Sequence, residues 1–127
     1  MKKNIIIIMM VLVMVLGMTG CGSDFDTSTE IGSAKLWTKG MIEKDEDILE
    51  SLDSGNPLGF PVYFLLDEYA NDFKGYKVDD FDFYLYEGYD DVVVIDAKDG
   101  SLAYIIEVGY RGNDDEYKFI SILDREM

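Results

Sequence analysis

The chain has 127 residues, with 26 acidic and 11 basic side chains, no histidine, one cysteine and a formal net charge of −15. The length suits one small domain. The missing histidine excludes His-based triads, His general bases and the commonest zinc and iron sites, and the charge opposes phosphate, so no nucleic-acid partner is expected. Nine Tyr, seven Phe and one Trp argue for a packed core rather than disorder.

Lys2 and Lys3 open a short positive stretch, followed by an unbroken apolar run over residues 5–16. Twelve apolar residues are too few to span roughly 30 Å of hydrocarbon, so the run reads as the hydrophobic region of a signal peptide over residues 1–20. The segment Met18-Thr19-Gly20-Cys21 resembles a bacterial lipobox. That resemblance implies a diacylglyceryl group on the Cys21 sulfur, cleavage before Cys21, and anchoring by acyl chains of the palmitate class. Two acyl chains suffice for stable attachment. With the only cysteine at the acceptor position, no intramolecular disulfide can form. Cleavage would remove Lys2 and Lys3 and no acid, leaving 26 acids against 9 bases, a net −17. An anionic membrane surface would repel such a domain, and the polar stretch after Cys21, within residues 21–32, suits a flexible tether. The expected location is the outer face of the plasma membrane of a Gram-positive bacterium.

The globular domain is expected over residues 33–127. Ala34, Trp37 and Met41, then Ile48 and Leu52, recur at helical spacing, with Ser33 as an N-cap and the acidic knot Lys44-Asp45-Glu46-Asp47 starting a second short helix. Either Asp45 or Asp47 would cap it. Ser54-Gly55-Asn56-Pro57-Leu58-Gly59 is a loop. Pro61 opens a third helix over residues 62–73, with Val62, Leu65, Leu66, Tyr69 and Phe73 as its apolar stripe. No strand is read between the second and third helices.

The remainder reads as strands: residues 78–87, 92–95, 102–110 and 117–123. Asp99-Gly100 is a type I′ hairpin signal, and Gly112-Asn113-Asp114-Asp115 turns the chain again. Two to three helices followed by a four-strand antiparallel meander make an α+β domain. The order resembles the nuclear transport factor 2-like (cystatin-like) superfamily, through Leu36-Trp37 and the charged knot to Leu49 and Leu52, and through Glu116-Tyr117-Lys118-Phe119-Ile120 entering the last strand. The resemblance implies helices packed against a curved sheet in a cone.

Catalytic members of that superfamily place an Asp–His or Asp–Arg pair in the cone. Here only Arg111 and Arg125 exist, near a turn and the C-terminus, so no catalytic residue is carried over. A non-enzymatic domain without cofactor is expected. The acids at Asp79-Asp80-Asp82, Asp90-Asp91, Asp96-Asp99 and Asp114-Asp115-Glu116 offer hard oxygen ligands. However, Lys98, Gly100 and Ser101 break the EF-hand pattern between Asp96 and Glu107. They read as turn acids that solvate loops, with no metal site assigned.

Two uses remain for the aromatic residues. If Phe81, Phe83 and Leu85 face inwards, Tyr84 and Tyr86 lie on the opposite face with Asp80 and Asp82, a surface typical of protein contacts, which Tyr104 and Tyr110 would extend. Alternatively, several aromatics line a pocket in the cone. The leading expectation is a lipid-anchored extracytoplasmic interaction module, tied to the membrane at Cys21 and meeting another envelope protein. The alternative is a lipoprotein that binds a small ligand or divalent cation, through the cone pocket or the acidic loops.

Overall fold

The computed structural model describes residues 25–54, 61–110 and 116–127. The leader, Cys21, most of the Pro57 loop, Arg111 and the turn at 112–115 lie outside the described residues. Helix α1 spans Glu30–Glu43 and α2 spans Glu46–Ser51. A third helical segment begins as α3, Val62–Phe64, and continues as a π-helical stretch, Leu65–Tyr69, and a 3₁₀ turn, Ala70–Phe73. Strands β1 (Phe81–Leu85), β2 (Val92–Ala97), β3 (Ala103–Tyr110) and β4 (Tyr117–Glu126) then form an antiparallel sheet in the order β1-β2-β3-β4. The fold is α+β, with helices packed on one face of an open sheet.

Helix α1 begins four residues earlier than the periodicity suggests. Its cap is Thr29, whose Oγ1 accepts from Gly32 N at 3.0 Å, and not Ser33. Ser33 is buried, and its hydroxyl lies 2.9 Å from Tyr117 O and 3.1 Å from Thr27 O. Tyr117 N also donates to Thr27 O at 2.8 Å. The last residues of the stretch expected as tether therefore belong to the packed domain, clamped between α1 and β4. Helix α1 ends at Lys44, whose left-handed backbone (φ 52°) turns the chain into α2. Asp45 then caps α2 by accepting from Asp47 N at 3.0 Å and Ile48 N at 3.3 Å.

The two helices approach closely because residue 40 is glycine: a Cβ there would meet Ile48 and Leu49 side chains at 2.9 Å. After α2, Asp53 makes a single parallel bridge to Phe119, and Phe119 N donates to Leu52 O at 2.8 Å. A one-residue bridge thus stands where the sequence shows no strand.

β1 is shorter than expected. Residues Val78–Asp80 form a 3₁₀ turn, held by Lys77 N donating to Asp80 Oδ2 at 2.8 Å. The β2–β3 hairpin is not type I′, because only Gly100 has positive φ and Asp99 does not. Its turn closes through Gly100 N to Ala97 O at 2.9 Å, and Asp99 accepts from Ser101 N, which explains both residue types.

Trp37 lies at the centre of the core. Its ring stacks on Phe119 (5.1 Å) and meets Phe73 edge-on (5.7 Å) and Tyr104 (6.0 Å). Val93, Ile95, Ile106 and Val108 close the core from the sheet side. Where the resemblance implies a cone pocket, these side chains fill the inner face.

Candidate functional site

The strand register sorts the four tyrosines of the expected contact surface. Tyr84 pairs with Val94, Val94 with Ile105, and Ile105 with Asp124, so these four share the sheet face turned away from the helices. Tyr84 is 47% exposed, and Tyr86, just past the end of β1, is 44% exposed. Tyr104 falls on the opposite face and is wholly buried against Trp37 and Phe73. It is a core residue, not part of the contact surface. Tyr110 has the same inward parity as Tyr104 and sits at the end of β3, where it stacks on Tyr117 at 4.1 Å. It does not extend the Tyr84–Tyr86 face. Leu85, expected inside, is exposed at the end of the short β1.

The outer face holds a shallow hollow of about 590 Å³. Tyr84 and Tyr86 form one wall, Val94, Ala103 and Ile105 the floor, and Glu87, Asp96, Asp124 and Glu126 the rim. A second hollow of about 440 Å³ shares Tyr86, Ile105 and Asp124 with it and adds Tyr89, Val92 and Leu123. Val92 and Val94 are buried although they face outwards. Tyr86 and Tyr89 rings lie 5.7 Å apart.

Leu123 reaches this surface through an irregularity of β4. The pairing steps from Ile105↔Asp124 to Ile106↔Ile122, leaving Leu123 as an extra residue, 53% exposed. A second step between Glu107↔Ser121 and Val108↔Phe119 leaves Ile120 extra. Such bulges bend a strand and re-aim side chains. The outward leucine was invisible to an alternation argument, which assumes unbroken register.

Charge around the hollow is one-sided. Asp82 lies directly opposite Asp96, Asp96 opposite Ala103, and Ala103 opposite Glu126, so three carboxylates occupy one cross-strand row. Like charges at such spacing destabilise a sheet. The Tyr84 phenol is pushed above its ordinary value by burial, then by the charge and hydrogen bond of Asp96, and by Asp82.

A second cluster joins the inner face to the helices. Tyr104 Oη donates to Asp72 Oδ2 at 2.5 Å, Arg125 Nη1 donates to the same oxygen at 3.3 Å, and the Arg125 guanidinium lies 5.3 Å from the Tyr69 ring centre. Sequence reasoning set Arg125 aside as a terminal residue, whereas β4 carries it back to Asp72. Burial first, then the Asp72 hydrogen bond and charge, hold the Tyr104 phenol far above its ordinary value. The hydrogen bond to Tyr104 and the charge of Asp72 raise Arg125. The cluster thus links β3, β4 and the 3₁₀ turn through Asp72, as a latch.

Among the described residues, no group of three or more acids converges as a metal site would, and no helix is long and apolar enough to cross a membrane. Asp80 and Asp99 serve turns instead, bonding Lys77 N and Ser101 N. No family model, curated protein or solved structure matches the chain.

Proposed function

We propose that this protein is a lipid-anchored, extracytoplasmic and non-enzymatic binding module that docks another envelope protein on the outer face of its sheet, around Tyr84 and Tyr86. The observation that carries this reading is the composition of that face: half-exposed tyrosines and an outward leucine over a floor of Val92, Val94 and Ile105. A solvated sheet face is ordinarily polar, whereas contiguous aromatic and aliphatic surface is typical of contact sites. The inner face, by contrast, is already filled by the core.

The anchoring part of this reading is supported by Lys2, Lys3, the apolar run and Cys21, and its expected location is the outer face of a Gram-positive plasma membrane. Replacing Cys21→Ser should release the chain from the membrane fraction or leave it unprocessed. Unchanged processing and lipid labelling would contradict the anchor. For the docking face, Tyr84→Ala and Tyr86→Ala should weaken partner capture without lowering the melting temperature.

A further inference from the structure

We infer that the occupant of the outer-face hollow is a lysine- or arginine-bearing segment of the partner protein; this rests on the docking reading and names the chemistry of what docks. The rim contributes four carboxylates, and no basic side chain lines the hollow. Its floor is apolar and its wall aromatic, so the stem of a long basic side chain can lie on Val94 and Ile105 while its charged head meets the rim. Tyrosine faces attract such cations as well.

The second argument comes from the fold. The row Asp82–Asp96–Ala103–Glu126 sets Asp82 and Asp96 directly opposite each other, with Glu126 one strand beyond Ala103, and like charges across a strand pair oppose the sheet. Residues that oppose local stability mark functional surface, and a bound cation relieves that repulsion. A second copy of this chain, itself strongly acidic, would add to it.

The test titrates the ¹⁵N-labelled full-length protein, in neutral detergent micelles, with a capped peptide of alternating lysine and valine. A glutamate–valine peptide of the same length serves as control. The lysine peptide should shift the amides around Tyr84, Asp96 and Glu126, and the shifts should weaken as salt rises. Asp96→Asn with Glu126→Gln should raise its Kd roughly fivefold. Asp67→Asn with Glu68→Gln, which removes the same charge from an exposed helical turn, should change it less than twofold. Equal losses in both variants would show that the peptide reads only net charge and would overturn the inference. So would shifts at these amides from millimolar calcium and none from the peptide. If the inference fails while partner capture still depends on Tyr84 and Tyr86, the docking reading stands without its cationic occupant. If capture ignores both tyrosines, the docking reading fails too.

Discussion

At the residue scale, Trp37 shows how much rests on one side chain. It is wholly buried, touches Phe73, Tyr104 and Phe119, and its indole N–H meets no acceptor among the described residues. An unpaired buried donor costs about 1–3 kcal/mol, so its ring packing must outweigh that. Trp37→Ala should lower unfolding free energy by about 3–5 kcal/mol in urea titrations followed by circular dichroism. Tyr104 adds a pH dependence. Its folded-state phenol is raised above the ordinary 10.0, so its contribution is complete below pH 10 and is lost as pH rises further, when the unfolded chain releases the proton first. Tyr104→Phe should cost about 1–2 kcal/mol at neutral pH and flatten the alkaline fall in stability. An alkaline slope that is unchanged in the variant would contradict the latch to Asp72. Gly32 is as constrained as any side chain, because a Cβ there would lie 1.7 Å from Asp26 O. Gly32→Ala should detach the residues ahead of α1, read as faster amide exchange at Tyr117, whose N–H bonds Thr27 O.

At the element scale, β1 and β4 decide what the sheet presents to solvent. The row of Asp82 and Asp96 predicts that Asp82→Asn stabilises the fold by about 0.5 kcal/mol, by removing a repulsion that packing does not need. Destabilisation by this substitution would mean that the carboxylate has a structural partner. The same elements show what could be read beforehand. Helix α2, β2 and β3 follow from the acidic knot that offers Asp45 or Asp47 as cap, the valine run and the alternation through Tyr104, Ile106 and Val108. The outward placement of Tyr84 follows from the inward Phe81 and Phe83. By contrast, the face of Tyr104 and Tyr110 depends on register, which no single strand specifies. The bulges at Ile120 and Leu123 are set by pairing with β3, and the Asp72–Arg125 contact joins residues 53 positions apart. The shift of the third helical segment into π and 3₁₀ geometry likewise has no marker in its own residues.

At the scale of the whole molecule, a formal net charge of −15 means that the chain folds against its own repulsion. Melting temperature should therefore rise as pH falls from 7 towards about 5 and carboxylates begin to protonate. Below the ordinary 3.8 it should drop, because hydrogen bonds from Ser28 and Ser101 hold the Asp26 and Asp99 carboxyls low, and their contribution disappears as they protonate. One face of the sheet is spent on the core, and the other is tyrosine-rich and acidic around the hollow. The most direct test cross-links the protein on intact cells and compares what is captured by wild type, by Tyr84→Ala with Tyr86→Ala, and by Tyr63→Ala, an exposed tyrosine on α3. The predicted result is one protein partner captured by wild type and Tyr63→Ala and lost in the double variant, at unchanged melting temperature. Capture that survives the double variant, or no partner for wild type, would contradict the docking role of this face.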